Sequence, residues 1–139
     1  PKEDSYLSDL VNAIGPKNIV SGFGERPAID HLKTFDLAGF TSGCVCIAPK
    51  LSMDLLHAIQ AENWDEASRV HGLIMPMEYQ RERISPIRVL HDAVTLSGIA
   101  EMGPMYPMLS GIDEAEYDKI RTTARALLEL EMESRAVRS

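Results

Sequence analysis

The chain has 139 residues, a length that fits one ordinary domain or part of a larger one. Its 45% hydrophobic content is enough for a core and excludes wholesale disorder. Lys plus Arg is 14 and Asp plus Glu 21, a formal net charge of -7, which argues against a nucleic-acid-binding face because phosphate contacts need clustered basic residues.

No apolar run approaches the length that crosses a bilayer, so no membrane partner is expected. The opening Pro-Lys-Glu-Asp-Ser is not a secretory signal. Cys44 and Cys46 are the only cysteines. On an extended strand this spacing puts both thiols on one face, in poor geometry for a mutual disulfide. A reduced, cytoplasmic protein is the plain reading.

In chain order, Tyr6, Leu7, Leu10, Val11 and Ile14 form an apolar helical stripe over Ser5–Ile14, stopped by Gly15-Pro16. Ile19-Val20 reads as a short strand closed by Ser21-Gly22. Pro27 suits the first turn of a helix that continues through Ile29, Leu32 and Phe35 toward Gly39. After the turn Gly39-Phe-Thr-Ser-Gly43, the apolar run Cys44–Ile47 predicts a second, buried parallel strand. Two strand–turn–helix units in succession suggest an α/β fold, where the loop after each strand usually carries the chemistry. Two strands alone do not make a domain, and the chain opens as if in mid-element, so the missing strands are expected elsewhere.

The remainder reads as helical. Ser52 suits a cap for Met53–Ala61, and Asn63-Trp-Asp-Glu66 a capping box for a helix running to about Arg83, with a kink or break at Pro76. Ile87–Leu96 is amphipathic and stopped by Gly98, and Gly103–Pro107 must be irregular. Asp113-Glu-Ala-Glu116 opens a last helix with Tyr117, Ile120, Ala124, Leu127 and Leu128 on one side.

Ser21, Gly22 and Gly24 form a loop whose backbone can approach a ligand closely, or simply a tight turn needing positive φ. Thr41-Ser42-Gly43 offers hydroxyls and amides to a ligand, or again a turn. Glu25 either meets a substrate hydroxyl or relays a proton, or caps the following helix. Cys44 and Cys46 read as small buried side chains rather than nucleophiles, and no further ligands at metal spacing stand nearby. His31, His57, His71 and His91 reveal no triad. The run Glu78, Arg81, Glu82, Arg83 reads as solvated helix pairs. Met75, Met77, Met102, Met105 and Met108 read as core filler or an oligomer contact.

Taken in order, several motifs resemble the C-terminal half of the dihydrodipicolinate synthase and N-acetylneuraminate lyase family. Lys2-Glu3-Asp4-Ser5 before a helix resembles its lysine motif, Ser21-Gly22 the end of its seventh strand, and Gly39–Pro49 its eighth-strand segment. Ala58, Asn63–Ala67 and Pro76 fit its following helices, and Gly103-Pro104 with Pro107–Leu109 its closing pattern. Cys46 replaces a frequent Asn, Tyr106 replaces an Arg, and Glu25-Arg26 is unusual after Ser-Gly.

The resemblance implies the last part of a (β/α)8 TIM barrel over residues 1–62 and accessory helices over 63–139. It implies a lyase acting on pyruvate or a 2-keto-3-deoxy sugar acid, with Lys2 as the imine-forming residue and Ser21, Gly22, Glu25, Ser42, Gly43 and Cys44 around the substrate. No cofactor or metal is implied, and a homotetramer or dimer is. The family's carboxylate cradle and catalytic tyrosine fall in the other half of the barrel. Without that half, a lysine at position 2 is an ordinary solvated residue, and the chain reads as a structural or assembly fragment.

Overall fold

The computed structural model describes residues 2–136, with side chains from residue 5. Among these, α1 (Lys2–Ile14) leads through a short 3₁₀ turn to β1 (Val20–Ser21), α2 (Ala28–Phe35) and β2 (Gly39–Phe40). Four helices follow: α3 (Pro49–Gln60), α4 (Trp64–Arg83), α5 (Pro86–Ser97) and α6 (Tyr117–Ala136). The described residues form a two-stranded sheet and do not themselves close a barrel.

The two strands pair in parallel, Val20 opposite Gly39 and Ser21 opposite Phe40. Flanking bonds from Ala38 N to Ile19 O (3.0 Å) and from Thr41 N to Ser21 O (2.8 Å) extend the ladder. α2 is therefore a crossover helix, as the two-unit pattern implied.

The second strand lies earlier than its apolar run predicted. α2 ends at Phe35 because Asp36 turns left-handed at φ 54°, which frees Leu37 to enter the core and Gly39-Phe40 to pair. Cys44–Cys46 is instead a 3₁₀ turn, with Ile47 N bonded to Cys44 O at 2.9 Å. The hydroxyl of Ser42 accepts from Val45 N at 2.9 Å and starts that turn. An apolar run is thus buried by coiling rather than extending. The thiols accordingly part company, Cys44 buried and Cys46 exposed.

α3 starts at Pro49, three residues before the serine expected to cap it. Its N-terminus is held from α6: Glu131 accepts from Lys50 N and Leu51 N, each at 3.0 Å, and from Arg135 Nε at 2.8 Å. A buried carboxylate on the free N–H groups of a helix matches the positive end of its dipole. Asn63 caps α4 as its box predicted, accepting from Glu66 N. α4 runs unbroken through Pro76. The carbonyl left without its helical partner there belongs to Gly72, four residues back.

One apolar core runs from Ile19, Leu32 and Leu37 beside the sheet to Leu55, Ile74, Met77, Val89 and Ile120 between the helices. Met77 belongs to it and Met75 is buried, whereas Met102 and Met108 are exposed, so the methionines divide between interior and surface.

Candidate active site

Parallel pairing aims the carboxyl ends of β1 and β2 at the same edge of the sheet. The loops that leave them, Gly22–Pro27 and Thr41–Gly43, face each other across an open cleft of about 950 Å³. Thr41-Ser42-Gly43 was expected just before a strand. It lies just after one, on the side of an α/β sheet where ligands bind. The cleft's other wall is α4, through Glu78, Arg81 and Glu82.

Gly22 lines the cleft, and a Cβ there would meet nothing within 4 Å, so its lack of a side chain leaves open floor. Gly24 has φ +76°, the turn geometry that favours glycine, and a Cβ on it would stand 3.0 Å from Glu78 Oε2. Gly43 is tighter still. A Cβ on it would fall 2.3 Å from Arg81 Cζ, because the guanidinium lies directly against that stretch of backbone.

Behind the cleft lies a buried polar cluster. Glu25 is 0% exposed. Its Oε1 accepts from Ser42 Oγ and, at 3.3 Å, from Ser52 Oγ, and the two hydroxyls are 3.1 Å apart. The Glu25 side chain does not cap α2, so of its two expected roles the structural one is corrected: the carboxyl turns inward. Arg81 Nη1 bonds Glu78 and lies 3.9 Å from Glu25 Oε2, an oxygen that has no hydrogen-bond partner. Burial holds the Glu25 carboxyl above its ordinary range, and the charge of Glu78 adds to this. Its bond from Ser42 and the charge of Arg81 pull the other way without cancelling it. The buried Glu25 carboxyl thus sits beside a Glu78–Arg81 ion pair.

Cys44 Sγ donates to Glu78 Oε1 at 3.0 Å. Burial pushes the thiol far above its ordinary range, and Glu25 and Glu78 add to this, so it is no nucleophile. Glu25, Cys44 and Glu78 offer three ligand atoms within 4.8 Å of one another. Arg81 already supplies the cation there, so a divalent ion would have to displace a guanidinium.

Sequence patterning missed four of the residues assembled here. Glu78 and Arg81 are largely buried, not solvated, so the reading of the charged run is corrected for these two; Glu82 and Arg83 are exposed, as it expected. The signal lay in the stripe Val70, Ile74, Met77: continued by helical spacing, it reaches Glu78 and Arg81. Ser52 was assigned to a cap. His31 was set aside, yet its Nδ1 lies 2.8 Å from Ser21 Oγ and it lines the cleft. This is a pair rather than a triad: among the described residues no carboxylate holds His31.

The backbone of Lys2 opens α1, and its side chain lies outside the described residues. Of the other expected residues, Gly22, Ser42 and Gly43 line the cleft, Ser21 ends β1 beside His31, and Glu25 and Cys44 are buried behind the cleft.

The fold, rather than any site residue, is shared with solved structures. The dihydrodipicolinate synthase of Oceanobacillus iheyensis superposes with a TM-score of 0.63 at 22% identity, over 79% of this chain and 36% of that one. The dihydrodipicolinate synthase of Bacillus clausii does so with a TM-score of 0.64 at 19% identity, again over 79% and 36%. The fold is that of part of a dihydrodipicolinate synthase. The chain spans about a third of the length of those synthases, consistent with a C-terminal fragment of such a protein. No protein-family model and no curated protein matches the sequence. Among the described residues no helix is long and apolar enough to cross a membrane.

Proposed function

We propose that this chain supplies the last strand–helix units of a (β/α)8 barrel, over residues 1–62, and its accessory helices, over 63–139. The whole barrel is a lyase acting on pyruvate or a 2-keto-3-deoxy sugar acid. The observation that carries this reading is the cleft itself. Two parallel strands end in loops that bring glycine backbone, Ser42 and Glu25 to one edge, in a fold shared with dihydrodipicolinate synthases.

In this reading the neutral amine of Lys2 attacks the ketone carbon of the substrate, and water leaves to give an iminium. The iminium accepts an electron pair from its α carbon. Breaking the α–β carbon–carbon bond, with loss of the β-hydroxyl proton, gives the pyruvate enamine and an aldehyde, and the enamine is then reprotonated at its α carbon. Losing an α proton instead gives an enamine that expels the β-hydroxyl, which takes up a proton and leaves as water. Hydrolysis then restores the lysine. No metal or nucleotide is required. Ser42, fixed between Glu25 and Val45 N, presents a hydroxyl at the cleft to the substrate or to the departing group. The barrel works as a soluble cytoplasmic homotetramer or dimer.

The test is turnover. Incubation with a 2-keto-3-deoxy sugar acid gives pyruvate plus an aldehyde, or a product lighter by one water, read by mass spectrometry. Lys2→Ala abolishes it. Turnover that survives this substitution contradicts the reading.

A second reading has its own support: the described residues leave Val20 of β1 55% exposed beside a two-stranded sheet, as an assembly fragment would. It predicts folding and association without turnover.

A further inference from the structure

We propose that the cleft beside β1 and β2 takes an uncharged, hydroxyl-bearing substrate tail and turns away a tail that ends in a second carboxylate. This deepens, and rests on, the reading of the substrate as a 2-keto acid.

The charges that face the cleft carry the argument. Asp30, Glu78 and Glu82 stand against Arg26 and Arg81. Both guanidinium groups are engaged: Arg26 bonds Glu82, and Arg81 bonds Glu78 and approaches Glu25. Asp30 has no ion-pair partner among the described residues. The formal charges of these five side chains leave the wall a surplus of one negative charge. A second carboxylate would have to displace a carboxylate already paired to an arginine while facing Asp30. Neither arginine is a free anion receptor, and like charges brought together in a cleft repel.

The uncharged groups point the same way. Thr41 and Ser42 bring hydroxyls to the cleft, and Gly22 leaves its floor open. Phe23 lines it while 66% exposed, its ring edge-on to His31 at 5.9 Å between centroids. An aromatic ring left uncovered at a polar cleft gives the C–H bonds of a polyol an apolar surface, while nearby hydroxyls meet its oxygens.

The experiment is equilibrium binding at pH 7, read from the NMR signals of the Phe23 and His31 rings. The probes are 2-keto-3-deoxygluconate and its counterpart with a terminal carboxylate in place of the terminal alcohol. The neutral-tailed acid is expected to bind roughly tenfold more tightly, and Glu82→Gln, which frees Arg26, to narrow the gap to about threefold or less. Equal or tighter binding of the dicarboxylate overturns the proposal, as does the absence of ring perturbation by either acid. Lysine trapping with pyruvate is read separately. A tail preference without trapping would remove the imine chemistry and leave the selectivity standing; trapping without a preference would do the reverse.

Discussion

The guanidinium of Arg81 lies against the backbone of Gly43, so close that a single added carbon would fall 2.3 Å from its centre. Arg81 belongs to α4 and Gly43 to the loop after β2. One turn earlier on the same helix, Glu78 stands against Gly24 in the loop after β1. Two residues three apart on α4 therefore set the separation of the two loops that make the cleft.

Gly43→Ala tests that relationship. The new methyl forces Arg81 to move and breaks its bond to the buried Glu78, at a cost of about 1–3 kcal/mol. Chemical denaturation of Gly43→Ala, Arg81→Ala and the double variant gives a double-mutant cycle. The double variant is expected to be less destabilised than the sum of the singles, because the clash exists only with both side chains present. Strict additivity would mean that the two do not touch.

Glu131 joins α6 to the start of α3 through two backbone N–H groups. Glu131→Ala leaves those donors without partners in a largely buried place and lowers stability by roughly 2–3 kcal/mol. Thermal unfolding reads this directly. A change within about 0.5 kcal/mol, ordinary for a surface substitution, would refute the capping role.

The Glu25 carboxyl has a raised pKa in the folded protein, mainly through burial, with Glu78 adding to it. The fold therefore holds its proton more tightly than the unfolded chain does. Its contribution to stability is full below the ordinary value of 4.5 and declines as pH rises through the folded value. Glu25→Gln keeps the shape and removes the titration. The difference in melting temperature between variant and parent is expected to shift in the variant's favour on going from pH 4 to pH 8. A difference independent of pH would show that Glu25 does not titrate differently in the two states.

Much of the fold was legible because its signals are local. Hydrophobic spacing gave the helices, Asn63 with Glu66 marked the start of α4, and Ile19-Val20 before Ser21-Gly22 marked the first strand. The second strand was misplaced because a continuous apolar run does not distinguish an extended segment from a buried 3₁₀ turn. The start of α3 was misread because its cap comes from Glu131, about eighty residues away, and no local pattern records that bond. The same limit hid the site's second wall. Glu78 and Arg81 look like surface charge in sequence, and only packing shows that their partners are each other and Glu25.

Thiol chemistry gives an independent check on the turn that replaced the strand. Cys46 is exposed and Cys44 buried, its thiol bonded to Glu78. A maleimide or disulfide reagent is expected to label Cys46 in the native protein and Cys44 only after unfolding, as read by peptide mass spectrometry. Equal labelling rates would contradict the turn geometry.

The central claim is imine chemistry at the barrel end. Borohydride reduction in the presence of pyruvate, followed by intact and peptide mass spectrometry, tests it most directly. The account predicts one covalent pyruvyl adduct, mapping to Lys2. A folded sample that gives no adduct, or an adduct at Lys17, Lys33, Lys50 or Lys119 instead, would contradict it.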